Sequence, residues 1–131
     1  MIEKTLVPDT QRLKFLPGHF GKHHFRFEML VFHFMHSFCG DYDGGYWNFY
    51  SLSNGGMFMA LKTDETFRVV NPDNYCDEVL SAEASGIGVT LYGLNYLSFK
   101  SQDPRIVTLY HALRDFATEH AEARGIFAFI D

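Results

Sequence analysis

Apolar residues along this chain switch repeatedly between helical and strand-like spacing, and glycine, proline or asparagine marks nearly every switch. Leu13 and Leu16 follow Pro8-Asp9, which predicts a short helix with both leucines on its inner side, ended by Pro17-Gly18. From His24 to Phe38 two apolar stripes run at spacings of three and four. Phe27, Leu30, Phe34 and Phe38 form one, and Phe25, Met29 and Phe32 the other. A helix apolar over most of its circumference belongs at the centre of a small fold. The start of this segment, Phe-Arg-Phe-Glu-Met, alternates as a strand would, so the strand alternative stands beside the helix.

Asp41-Tyr42-Asp43-Gly44-Gly45 has the composition of a turn. It releases the chain into Tyr46–Leu52, aromatic on both alternating faces as a strand covered on both sides would be. Trp47, Phe49 and Tyr50 are its expected packing residues. Ser53-Asn54-Gly55-Gly56 offers Gly55 and Gly56 for the positive φ of a hairpin turn, and Met57–Leu61 returns. Thr66–Val70 reads as a third strand, closed by Asn71-Pro72-Asp73-Asn74. Helix resumes after Ser81 as N-cap, with Glu83 in the first turn. Its Gly86, Gly88 and Gly93 each cost about 1 kcal/mol against alanine, which implies close approach of a backbone or a ring. Asp103-Pro104 opens another helix as N-cap and N1, and Thr118 to Phe129 forms the last. The expectation is a single α+β domain over residues 1–131. It has an antiparallel three-stranded meander and about five helices packed mainly on one side.

Composition supports a packed core and narrows the function. Hydrophobic residues make up 47% of the chain and aromatics 17%, which rules out disorder as the default. The net charge of −5 is unevenly placed: residues 1–40 sum to +2, residues 41–83 to −6 and residues 84–131 to −1. No run of Lys or Arg suggests a grip on DNA phosphates, so tight nucleic-acid binding is not expected. The charge is equally too small for wholesale imitation of a duplex. Cys39 and Cys76 form no CxxC pair and suit a reducing compartment. No apolar run approaches a membrane span, and the N-terminus lacks a signal-peptide h-region. A cytoplasmic protein without membrane contact is expected.

Candidate chemistry is sparse. His19, His23, His24, His33 and His36 crowd the first 40 residues. The His19–His23 spacing would place two imidazoles on one helix face, but Pro17-Gly18 and Gly21 interrupt that helix, and no Glu sits between them as zincin chemistry requires. Gly86-Ile87-Gly88 lacks the third glycine of a dinucleotide fingerprint. No G-x-S-x-G occurs. Asp41 and Asp43 flank Tyr42 as paired carboxylates would, but turn formation explains them more simply. The aromatic strand lacks interleaved cations for stacking single-stranded bases and is flanked by Asp41, Asp43, Asp64 and Glu65. Asp131 adds a carboxylate beyond the last helix, where the helix dipole disfavours it, and is a candidate partner contact with Asp41 and Asp43.

The blocks Gly21-Lys22-His23, Asp41 to Gly56, Leu80 to Ile87, Tyr110 to Ala117, His120 and Ala128 to Asp131 together resemble the KlcA/ArdB family of antirestriction proteins. The GGYW-x-FY-x-LSNGG segment carries most of that likeness. The resemblance implies a small α+β protein that relieves restriction of incoming DNA by type I restriction–modification enzymes. It implies contact with the host restriction complex, directly or indirectly, with no catalysis, cofactor or metal. The alternative, from residue chemistry alone, is a small metal- or nucleotide-dependent enzyme built on the histidine-rich N-terminal block.

Overall fold

The glycine-rich helix, not the phenylalanine-rich one, lies at the centre. In the computed structural model, which describes residues 1–131, the chain runs β1 (Lys4–Leu6), α1 (Arg12–Phe20), α2 (His24–Phe38), β2 (Trp47–Leu52) and β3 (Met57–Leu61). It continues through β4 (Thr66–Asn71), β5 (Cys76–Ser81), α3 (Ala82–Ser101), α4 (Pro104–Glu119) and α5 (Ala123–Ile130). Every residue of α3 from Ala84 to Leu91 is buried. In α2, by contrast, the second apolar stripe reaches solvent: Phe25 is 65% and Met29 51% exposed. The stripe through Phe27, Val31 and Met35 is the one that packs.

The strands form two antiparallel sheets where one meander was expected. β1, β2 and β3 make the first, in that order, with Thr5 opposite Ser51 and Phe49 opposite Met59. β4 leaves it and pairs with β5, Thr66 opposite Ser81 and Asn71 opposite Cys76. Strands β1 and β5 are absent from the sequence reading for a physical reason. β1 has three residues, all exposed, so no hydrophobic alternation marks it. β5 buries only Cys76 and Leu80 and sets Asp77 and Val79 outward, which reads as a polar loop.

Helices also lie on both faces of the first sheet, not mainly on one. Side chains alternate along a strand, so Phe49 and the Tyr50–Phe58 pair point to opposite faces. Phe15 of α1 stacks on Phe49 at 5.7 Å and Phe32 of α2 lies 5.6 Å from Trp47. On the other face Phe116 of α4 stacks on Phe58 at 5.7 Å. Two helix boundaries differ as well. α1 continues through Pro17 to Phe20, and Leu13 is 92% exposed instead of inward. Thr118 and Glu119 finish α4, and α5 starts only at Ala123.

Helix α3 covers the free edge of β3. Thr90 Oγ1 accepts the Met59 N–H at 3.2 Å and donates to the Met59 carbonyl at 3.4 Å. Gly86 makes the approach possible, because a Cβ there would lie 2.3 Å from the Met59 carbonyl oxygen. An uncovered edge is a template for unwanted pairing, and here Thr90 occupies both backbone groups of Met59 at its middle while Gly86 lets α3 lie against it. The expected caps are present: Ser81 Oγ accepts the Ala84 N–H at 3.0 Å, and Asp103 accepts that of Arg105 at 3.0 Å.

Candidate functional site

Three polar groups stand out. The first is an acidic cleft. Past α2 the backbone crosses to β2 through Gly44 and Gly45, whose φ of +101° and +142° suit glycine and strain other residues. This loop leaves Asp41 and Asp43 exposed. The β3–β4 connection brings Asp64 and Glu65 to the same place, and the four carboxylates line one cleft with Thr66 and Phe67. The ion pairs of the molecule join Lys4 to Glu83, Arg68 to Asp77, Arg105 to Asp103 and Arg114 to Asp131. None of the cleft carboxylates has a cation of its own. Four negative charges without cations in one concavity make its local potential negative.

Asp131 stands on different elements from this cleft. The Arg114 guanidinium reaches it with two nitrogens, each 3.2 Å from a carboxylate oxygen. It also lies 4.9 Å from the Phe127 ring. Asp131 holds Arg114 above the usual guanidinium range, chiefly through these hydrogen bonds. The charge beyond α5 therefore has a partner in the fold, which spacing did not reveal. The helix end is pinned as well: the Phe129 carbonyl accepts from Asn71 Nδ2 at 3.1 Å and Asn74 Nδ2 at 2.8 Å. Arg114, Asn71 and Asn74 were missed by sequence reasoning. Asn71-Pro72-Asp73-Asn74 reads as a turn, and nothing local shows that its amides reach α5.

The third group is a clasp at the start of α3. His120 Nδ1 accepts the Glu122 N–H at 2.9 Å, so Nε2 carries the proton and donates to Glu83 Oε2 at 2.8 Å. Lys4 closes on the other oxygen of Glu83. Ser81 Oγ donates to Glu122 Oε2, whose partner Oε1 accepts the Ser81 N–H at 2.9 Å. Serine, histidine and carboxylate are thus near one another, but Ser81 is not bonded to His120, and both imidazole nitrogens hold structural partners. A nucleophile–base pair needs that direct contact. The group ties β1, the α3 N-terminus and the α4–α5 turn together.

The hydrogen bond from His120 holds the Glu83 carboxyl below the ordinary glutamate value, against the opposing effect of burial and with help from Lys4. A depressed carboxylate stabilises the fold fully above its unfolded value and loses that contribution as pH falls through the folded one. Thermal melts of wild type should therefore weaken from about pH 5 to about pH 3 more steeply than those of Glu83→Gln. Equal slopes for the two proteins would remove Glu83 from the account.

The histidine block does not assemble. His33 and His36 lie exposed on α2, while His19 packs edge-on against Phe15 at 4.7 Å and burial lowers its pKa. No three His, Cys, Asp or Glu side chains converge as a metal site would require. Of the residues expected to build the aromatic motif, Trp47, Phe49 and Gly56 are buried, Tyr50 is half-buried and Gly55 turns the hairpin with φ of +89°.

The sequence model of the antirestriction protein family matches residues 40–131. The chain belongs to this family. It is 42% identical over 137 residues to an antirestriction protein KlcA of Escherichia coli, covering 99% of this chain and 94% of that one. It is 40% identical to the protein YafX of Escherichia coli strain K12, covering 97% and 86%. A solved structure superposes with a TM-score of 0.92 at 38% identity, over 99% of this chain and 95% of the other. It comes from work ascribing to the KlcA and ArdB proteins a novel fold and antirestriction activity against type I DNA restriction systems in vivo but not in vitro. The segment matched to the antirestriction family contains all three polar groups except Lys4 of the clasp. Similarity to the individual relatives extends across α1 and α2 as well.

Proposed function

We propose that this chain relieves restriction of incoming DNA by type I restriction–modification enzymes, through protein contacts and without catalysis. The observation that carries the reading is the whole-chain likeness, at TM-score 0.92, to a structure from work reporting that activity for KlcA and ArdB in cells. The acidic cleft of Asp41, Asp43, Asp64 and Glu65, with Asp131 as a second acidic point, suits contact with a basic surface of the host restriction complex. Activity in vivo but not in vitro for those relatives favours a route that needs a further cellular component.

The chemistry of the available nucleophiles supports the non-catalytic part. Ser81 spends its hydroxyl on Glu122 and the Ala84 N–H. Cys39 is buried, and burial together with the charge of Asp41 pushes its thiol up to about 12, so it stays protonated at neutral pH. The modest −5 charge supports a mechanism other than duplex mimicry.

The test is plating of unmodified phage on a type I restricting host with and without this gene. Restriction should fall when the gene is expressed, and equal plating removes the proposal. The contact residues have a separate test. A host carrying the triple Asp41, Asp43, Asp131→Asn variant should restrict phage more strongly than one carrying wild type at equal protein level. Loss of the exposed Asp131–Arg114 pair costs at most about 1 kcal/mol, so stability does not confuse the result. Unchanged plating would show that these aspartates are not the contact. Duplex DNA should not be shifted in a gel at submicromolar protein and moderate salt. Tight, salt-sensitive binding would contradict the protein-contact reading, and weak binding should map to Arg12, Lys14, Lys22 and Arg26.

A further inference from the structure

Two places in the chain join an acidic or amide side chain to a following glycine, Asp43-Gly44 and Asn54-Gly55. Glycine has no side chain to shield its nitrogen. In such pairs that nitrogen can attack the preceding side-chain carbonyl carbon and close a five-membered succinimide ring. In an unstructured chain the asparagine pair reacts faster, because an aspartate is ionised at neutral pH and must first take up a proton.

The fold reverses that order. Asn54 is held at both ends of its amide: Oδ1 accepts the Gly56 N–H at 3.1 Å, and Nδ2 donates to the Ala112 carbonyl at 2.9 Å. Its nucleophile is engaged too, since the Gly55 N–H donates to the Leu52 carbonyl at 3.0 Å. Asp43 has none of these restraints. Its carboxylate is exposed, and neither it nor the Gly44 N–H has a hydrogen-bond partner within the protein. No atom lies within 4 Å of the place a Gly44 Cβ would occupy. Both residues belong to the connection between α2 and β2, outside any helix or strand. The rotation that brings the Gly44 nitrogen onto Asp43 Cγ therefore breaks no backbone pairing of either residue.

We propose that Asp43 is a site of self-modification: it isomerises to isoaspartate through a succinimide with Gly44, while Asn54 stays asparagine. The Gly44 nitrogen gives up its proton and bonds to Cγ of the protonated Asp43 carboxyl, whose hydroxyl leaves as water. Water then adds back to the ring. Opening at the side-chain carbonyl restores aspartate. Opening at the main-chain carbonyl routes the backbone through the side chain and frees the former main-chain carboxyl, so reactant and product have the same composition. The product has an extra main-chain carbon between α2 and β2 and a shorter carboxylate arm in the acidic cleft. The age of the molecule thus becomes a variable in any activity that the cleft carries.

The test ages the full chain at neutral pH and maps its peptides by mass spectrometry. Isoaspartate is counted by methyl transfer from S-adenosylmethionine with an isoaspartyl methyltransferase. Isoaspartate should accumulate at position 43 of the folded protein, with no mass gain at Asn54. In urea-unfolded chain the order should reverse, with Asn54 gaining mass first. Asp43→Asn gives the sharpest comparison, since both places then hold the same Asn-Gly pair and differ only in structure. Three hydrogen bonds must open before Asn54 can cyclise. The folded variant should therefore deamidate at position 43 about tenfold faster or more than at Asn54. An unchanged melting temperature, expected for replacement of an exposed carboxylate, shows that the loop is native. Equal rates at the two positions of the folded variant, or a faster rate at Asn54, would overturn the proposal. So would a folded wild type that gains no isoaspartate at position 43 while the unfolded chain does.

Discussion

Gly86→Ala should lower the melting temperature sharply and reduce the soluble yield. A Cβ at this position would stand 2.3 Å from the Met59 carbonyl oxygen and 2.7 Å from the Ala60 Cα. Those are backbone atoms of β3, so no change of rotamer relieves the clash. Helix α3 would have to lift from the strand, and both Thr90 hydrogen bonds to Met59 would break with it. Overpacking costs about 1–3 kcal/mol before lost hydrogen bonds are added at about 1 kcal/mol each. The better helix propensity of alanine returns only about 1 kcal/mol. Against a total stability of about 5–15 kcal/mol, the resulting net loss of about 2–4 kcal/mol is severe. Gly18→Ala is the control: it lies in α1 with nothing within 4 Å of its would-be Cβ. That variant should melt at or above the wild-type temperature. Similar melting of the two variants would refute the close-approach account of Gly86.

Trp47→Ala should destabilise by about 3–5 kcal/mol, the usual range for truncating a buried aromatic. The indole is 5% exposed and packs against Phe32 at 5.6 Å and edge-on to Tyr42 at 6.0 Å. Its Nε1 donates to the Tyr42 hydroxyl at 3.3 Å. Antirestriction should fall only in proportion to folded protein, measured by soluble yield and thermal melting. A variant that keeps its full melting temperature and yet fails to relieve restriction would make Trp47 a contact residue.

Local signals were legible and long-range pairing was not. Ser81 and Asp103-Pro104 announced their helix starts, because a cap depends on residues within one turn. The Asn54-Gly55-Gly56 hairpin was readable for the same reason. The glycines of α3 correctly announced close packing, yet the phenylalanines of α2 drew the centre of the fold toward the wrong helix. A count of apolar residues cannot tell the buried stripe of Phe27, Val31 and Met35 from Phe25 and Met29, which are left in water. The partition of strands into two sheets rests on pairings of residues up to 48 positions apart, such as Lys4 with Leu52, that no spacing encodes. At the candidate site, the acidity around Asp41 and Asp43 was visible as a charge block. The Arg114 partner of Asp131, 17 residues away along the chain, was not.

The cover that α3 places over β3 also sets an order for synthesis. Met57 to Leu61, one of the most apolar strands in the chain, pairs with β2 on one side and waits for Gly86 and Thr90 on the other. On the ribosome those residues follow it by some thirty positions, and the exit tunnel delays them further. During that interval the nascent chain carries a hydrophobic strand with an open row of N–H and C=O groups, the form of surface most prone to aggregate. Translation speed across residues 62–90 therefore bears on yield, and a fragment ending before α3 inherits the open edge permanently.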